Sequence, residues 1–208
     1  MSQNTSHAVM QQRSEPLDSL DDFPTPPWAT RALIEHVIGP RWPIGLTCWE
    51  PACNRGYMAK PLAEYFKEVR TSDVRRYGWE GQQEIADFLT TEPGSYRPDW
   101  IITNPPFRLA TQSALHMEKQ YPCHGYAILV RTSFLEGADR YRTLFEETPP
   151  QVIAQFVERV PMVRGRHDPA ATTATSYAWL VWSTPHTGPP RFVWIPPCRK
   201  QLQKDSDA

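Results

Sequence analysis

The run Trp100-Ile101-Ile102-Thr103-Asn104-Pro105-Pro106-Phe107 limits what this chain can fold into more than any other segment. Four residues rich in apolar and β-branched side chains predict a short buried strand. That strand must stop at the two prolines, because neither carries an N–H for a sheet ladder. Each proline also drives the residue before it into extended geometry, so Asn104 and Pro105 are both restricted. The expected product is a rigid shelf at a strand end. It offers the Asn104 amide oxygen and the Pro105 carbonyl as neighbouring acceptors, with Phe107 as a flat face beside them. Two convergent acceptors suit an –NH2 group. Taken alone, the tetrapeptide also reads as a plain loop.

The chain around this shelf alternates between strand-like and helix-like segments. Residues 28–38 follow a double proline and place Ala32, Leu33, His36 and Val37 at helical spacing before Gly39-Pro40. Residues 56–66 put Met58, Leu62 and Phe66 on one helical face. Residues 108–120 and 138–147 predict two more helices. Strands are expected at 46–50, 69–74, 126–130, 152–157 and 177–182, with an edge strand at 191–195. Such alternation predicts an α/β fold with a mainly parallel sheet, binding ligands beyond the carboxyl ends of its strands. The polar, aperiodic residues 1–20 and 199–208 are expected to be flexible flanks of one domain at 21–198.

Composition excludes several classes. The 208 residues include 22 prolines, about twice the usual share of roughly 5%. The apolar share of 40% still excludes global disorder, collagen and coiled coil. No apolar run approaches the roughly 18 residues that would span a bilayer, and the polar N-terminus does not read as a signal peptide. Cys48, Cys53, Cys123 and Cys198 form no C-x-x-C pair and no zinc pattern, so no metal site and a reducing cytoplasm are expected. A net charge of −1 argues against coating nucleic acid by charge alone. The charge is uneven: residues 1–100 carry 10 Lys+Arg against 14 Asp+Glu, and residues 101–208 carry 12 against 9. Arg164, Arg166 and His167 lie in the basic half, reading either as a solvated loop or as phosphate contacts.

A second strand end, Trp49-Glu50-Pro51-Ala52-Cys53-Asn54-Arg55-Gly56-Tyr57, runs from an apolar strand into a tight turn and a helix. Glycine suits such a turn best and asparagine next. Gly56 is expected to let a ligand approach the helix start. An ordinary strand–turn–helix corner is the alternative.

With both strand ends in view, the sequence resembles the S-adenosylmethionine-dependent amino-methyltransferases, in particular the DNA adenine-N6 group. Asp22-Phe23-Pro24-Thr25-Pro26-Pro27-Trp28 resembles the methionine-contacting segment, Glu50 to Gly56 the cofactor loop, and Asn104 to Phe107 the catalytic loop. The order of these segments is similar to the gamma arrangement. The resemblance implies a class I, Rossmann-like fold: a mainly parallel seven-stranded sheet with helices on both faces. It also implies S-adenosylmethionine as cofactor, held by Phe23, Thr25, Pro26, Glu50, Pro51, Ala52, Asn54, Gly56, Asp73, Val74, Asp87, Phe88 and Asn104. Asp73 would take the ribose hydroxyls, Asp87 the adenine amino group, and Glu50 the methionine end. Helix or turn caps are the alternatives at Thr25, Glu50, Asp73 and Asp87.

Two positions depart from the family pattern. Asn54 stands where the family usually has glycine, and Phe107 replaces the commoner tyrosine. The catalytic set implied is Asn104, Pro105, Pro106 and Phe107, acting on an adenine flipped out of duplex DNA. An RNA base or a protein glutamine as substrate, and a degenerate fold that only binds nucleic acid, stay open beside it. Sequence-reading relatives usually append a recognition domain. Only 26 residues follow Trp182 here, so specificity is expected from short loops, a homodimer or an accessory specificity subunit, with or without a restriction partner.

Overall fold

The computed structural model describes residues 21–92, 96–184 and 188–207. The flank expected at 1–20 lies outside the described residues. The strands are β1 (Thr47–Glu50), β2 (Glu68–Asp73), β3 (Glu84–Ile85), β4 (Trp100–Thr103), β5 (Gly125–Arg131), β6 (Val152–Phe156), β7 (Tyr177–Ser183) and β8 (Arg191–Ile195). They form one sheet in the order β3-β2-β1-β4-β5-β7-β6-β8. Only β7 runs antiparallel to its neighbours. The sheet is mainly parallel, as the alternation implies, but has eight strands among the described residues rather than seven. The strand missed is β3, whose two exposed residues pair with Ser72 and Asp73 and are too few to show a pattern.

The central strands read as unbroken apolar runs because both faces of the sheet are covered. Ile102, Leu129 and Trp179 point to one core beside Trp28, Leu33 and Leu62. Their neighbours Ile101, Ile128 and Leu180 point to the other, beside Trp49 and Met117. This period of two is what makes one strand serve two layers.

The helices are α1 (Pro27–Leu33), α2 (Ala59–Leu62), α3 (Ala110–Gln120), α4 (Ala138–Arg140) and α5 (Arg199–Leu202). The first continues as a π turn over Ile34–Ile38 and stops at Gly39, whose φ is +96°. Residues 56–66 were expected to be one helix, yet only α2 is regular. Pro61 lacks an N–H, and the chain leaves it through shorter turn bonds at Glu64 and Tyr65. The apolar face survives: Met58, Leu62 and Phe66 are all buried. Among the described residues no helix is long and apolar enough to cross a membrane.

Residues 199–207 correct the expectation of a flexible tail. Arg31, 3% exposed, holds Asp207 through two hydrogen bonds of 2.8 Å and Glu64 through two of 2.7 and 2.9 Å. Burial works against the Arg31 charge, but Asp207 and Glu64 more than offset it and hold the guanidinium protonated. An ion pair 176 residues apart in sequence is invisible to any local pattern.

Candidate active site

Three strand ends meet at one cavity of about 380 Å³. Glu50 closes β1, Asp73 closes β2, and Thr103 closes β4 just before the Asn104–Pro106 shelf. From β1 the sheet grows outward through β2 and β3 on one side and through β4 and β5 on the other. The cavity therefore sits at the switch in strand order, where open α/β sheets hold ligands.

The turn after β1 is built on Asn54, at φ +49° in the left-handed region that asparagine tolerates. Its N–H donates to Asp73 Oδ2 at 2.9 Å, its side-chain oxygen accepts the Arg55 N–H at 2.8 Å, and its Nδ2 donates to Asp22 at 2.7 Å. Asn54 thus ties the cofactor-like loop to β2 and to the segment before α1. Gly56 has a close neighbour in Trp79. Its φ is +81°, and a Cβ there would lie 2.5 Å from the Trp79 ring. The glycine makes room for the Trp79 indole, and it is not among the residues that line the cavity.

Three polar atoms of this region are buried without a hydrogen-bond partner among the described residues: Thr25 Oγ1, Glu50 Oε2 and Asn104 Oδ1. An orphaned buried polar atom costs about 1–3 kcal/mol, and these three share one cavity, a donor set that a polar ligand would satisfy. Thr25 does not cap α1; the N-cap residue is Pro26, with no side-chain bond. Glu50 is 1% exposed and accepts from Thr103 Oγ1 at 3.3 Å. Burial, and then the nearby Asp73 charge, push its pKa well above the usual carboxylate range. Burial also raises Asp73, opposed by the N–H groups of Asn54, Val74 and Arg75.

Asn104 has a fixed orientation. Its Nδ2 donates to the Phe23 carbonyl at 3.1 Å, and a carbonyl can only accept. The amide oxygen is left as the unsatisfied acceptor that the shelf was expected to offer.

Most of the expected cofactor residues line this cavity: Phe23, Thr25, Glu50, Pro51, Ala52, Asn54, Asp73, Val74, Asp87, Phe88 and Asn104, with Pro105 and Pro106 beside them. Asp87 also makes a local turn, accepting the Leu89 N–H at 3.0 Å, so the cap alternative holds together with its place in the wall. Pro26 is buried behind the wall as the α1 cap. Phe107 also stands outside the wall. It packs on Phe23 with ring centroids 5.6 Å apart, and the Arg131 guanidinium lies over its ring at 4.1 Å.

The loop bearing Arg164, Arg166 and His167 reaches the cavity rim. Gly165 N–H donates to the Asp22 carbonyl at 2.8 Å, and the His167 ring packs on Tyr57, itself a wall residue, at 5.1 Å. Burial lowers the His167 pKa and so favours the neutral ring. Arg164 and Arg166 are exposed, and Arg166 pairs with Asp168 at 3.3 Å. Sequence reasoning missed the wall residues Tyr57, Tyr77, Arg108 and Asp21, which carry no periodic or motif signal.

No family model matches the sequence, and no curated protein matches it. Solved structures do match in shape. The type I restriction-modification methyltransferase subunit from Streptococcus thermophilus superposes with a TM-score of 0.57 at 12% identity, over 89% of this chain and 52% of that one. A modification subunit of a type I restriction enzyme from Vibrio vulnificus gives 0.55 at 17% identity, over 84% and 47%. The chain has the class I methyltransferase fold. A dimethyladenosine transferase from Plasmodium falciparum shares the fold at a TM-score of 0.51, with 13% identity over 76% and 61%. This example of the methyltransferase fold spans about half the length of the two restriction-modification subunits.

Proposed function

We propose that this protein transfers a methyl group from S-adenosylmethionine to the N6 amino group of adenine in DNA. The observation that carries the reading is the Asn104 amide oxygen, buried and unpartnered on a proline-fixed shelf, in the wall shared with Glu50, Thr25 and Asp73. The donor set suits the cofactor part by part. Glu50 Oε2 fits the methionine ammonium and Thr25 Oγ1 the methionine carboxylate. Asp73 fits the ribose hydroxyls, and Asp87 with Phe88 borders the adenine. When bound, the cofactor supplies a methyl group on a positive sulfonium.

An exocyclic amine is a poor nucleophile because its lone pair is spread into the ring. Asn104 Oδ1 and the Pro105 carbonyl accept its two N–H bonds and favour a pyramidal nitrogen with a localised lone pair. The nitrogen held by these two acceptors would present its lone pair to the methyl group that the bound cofactor supplies, and the amine proton would pass to solvent. Positioning supplies much of the acceleration, so no strong base is required. In duplex DNA the adenine is flipped out to reach the shelf. Arg164 and Arg166 meet phosphates near the target, and a specificity subunit or a second copy extends the contact. The type I restriction-modification relatives by fold support DNA as the substrate.

The test is methyl transfer from labelled cofactor to DNA, RNA and protein pools, read by nucleoside and amino-acid mass spectrometry. N6-methyladenine in DNA, lost in Asn104→Ala, is the expected result. Label confined to RNA or to glutamine refutes the substrate, and cofactor binding with no transfer to any pool refutes the activity.

A further inference from the structure

The loop after β4 is short of hydrogen bonds of its own. Pro105 and Pro106 carry no N–H, so Phe107 offers the first backbone donor after Asn104. The 3-10 turn Phe107–Leu109, which leads into α3, has Pro106 as its N-cap residue and no local side-chain cap. That donor is taken from far away. The Asp21 carboxylate, 86 residues upstream, accepts the Phe107 N–H at 2.6 Å. At the other end of the shelf, the Phe23 carbonyl holds Asn104 Nδ2 at 3.1 Å.

Asp21 and Phe23 are joined by a tight turn of their own. Phe23 N–H donates to the Asp21 carbonyl at 2.8 Å, and Asp21 sits at φ +51°. Aspartate, like asparagine, is among the few side chains that tolerate that region. A three-residue clasp, 21–23, therefore grips both ends of the shelf. The same segment continues directly into Thr25 in the cavity wall.

We infer that Asp21 is the positioning residue of the methyl-transfer site: its carboxylate fixes the pitch of the Asn104–Phe107 shelf, and with it the aim of the Asn104 and Pro105 acceptors. This rests on the proposed methyl-transfer reading. Asp21 also stands in the cavity wall, and the role inferred for it is played through the Phe107 N–H. Losing that grip lets the shelf pivot about Asn104, and a displacement near 1 Å is enough to cost about a hundredfold in rate.

The experiment compares wild type, Asp21→Ala and Asp21→Asn by steady-state transfer, by calorimetric titration with cofactor, and by amide hydrogen exchange at Phe107. Asp21→Ala is expected to lower kcat by about 30- to 100-fold with little change in KM and cofactor Kd, and to speed exchange at Phe107. Asp21→Asn keeps an acceptor oxygen and is expected to restore most of the rate and the protection. Wild-type kcat in Asp21→Ala overturns the inference, as does an Asp21→Asn as slow as Asp21→Ala or a loss of cofactor affinity that accounts for the loss of rate. Should Asp21→Ala fail to fold, Asp21→Glu shifts the acceptor along a longer arm and is expected to slow transfer; wild-type speed in that variant overturns the inference too. A wild type that transfers to no pool overturns the proposed function instead. The Asp21 grip is then judged by exchange, and unchanged Phe107 exchange in Asp21→Ala overturns it.

Discussion

Glu50→Gln should move stability and binding in opposite directions. Glu50 is 1% exposed, with one oxygen bonded to Thr103 and the other unpartnered. Burial, then the nearby Asp73, raises its pKa well above the usual range. The folded protein therefore keeps a proton that the unfolded chain has already lost. Stability falls as pH rises from the ordinary Glu value, about 4.3, through the raised one. Glutamine removes that titration while keeping the shape. The free variant is expected to melt higher than wild type at neutral pH, and the gap should close as pH falls below the ordinary Glu range. Cofactor binding should respond the other way. A hydrogen bond to a charged group, here the ammonium, contributes about 1.5–3 kcal/mol. Replacing Oε2 with an –NH2 also turns a donor toward the ammonium, so a loss of about 2–3 kcal/mol, or roughly 30- to 150-fold in Kd, is expected. Scanning calorimetry between about pH 4 and pH 8 reads the first effect, and calorimetric titration with cofactor reads the second. A variant that melts lower than wild type at neutral pH, or binds cofactor within threefold of it, refutes the reasoning.

Asn104→Ala should cost about 10²- to 10³-fold in transfer rate while cofactor affinity in a titration changes less than tenfold. Gly56→Ala forces a Cβ into the Trp79 ring at a left-handed position, and urea denaturation should show a loss of about 2–4 kcal/mol. Asp207→Ala removes one of the two carboxylates on a buried guanidinium, with an expected loss of about 2–3 kcal/mol because Glu64 remains. Burial opposes the Asp207 charge, but Arg31 and the Lys204 N–H outweigh it and lower the pKa. That contribution is therefore full above the ordinary Asp range and fades as pH falls through the lowered value, so melting curves of the two proteins should converge in acid. Arg164→Ala with Arg166→Ala should weaken DNA binding uniformly across sequences and reduce the salt slope by about two; an unchanged slope rules out the phosphate contact.

The parts of the fold that could be read from sequence are those where local chemistry and burial agree. Trp100–Ile102 is apolar on every residue because both sheet faces are covered, and Asn104–Phe107 carries its rigidity in its own prolines. Asn54 could be placed in a left-handed turn because few side chains tolerate one. Where one residue answers another far along the chain, the sequence is silent. Gly56 reads as a ligand-loop glycine until Trp79 is seen filling the space beside it. The tail at 199–207 reads as polar and loose until Asp207 meets Arg31. Phe107 reads as an open stacking face until Arg131 is found over its ring. Asp21 sits among polar residues with nothing to distinguish it; its significance lies in an N–H 86 positions away.

The latch between Arg31 and Asp207 also bears on the order in which the chain can fold. Trp28, Ala29, Leu33 and Ile34 are almost wholly enclosed, yet much of their enclosure arrives late. The Trp179 indole bonds the Ala29 carbonyl from 150 residues downstream, and Asp207 reaches Arg31 from 176. Loops of that span close slowly and add little until they are shut. During synthesis at the ribosome, the segment carrying Phe23 and Thr25 would therefore emerge first and be tied in last. Until those downstream partners emerge, the apolar first helix would wait for its cover, a stretch for a chaperone to shield.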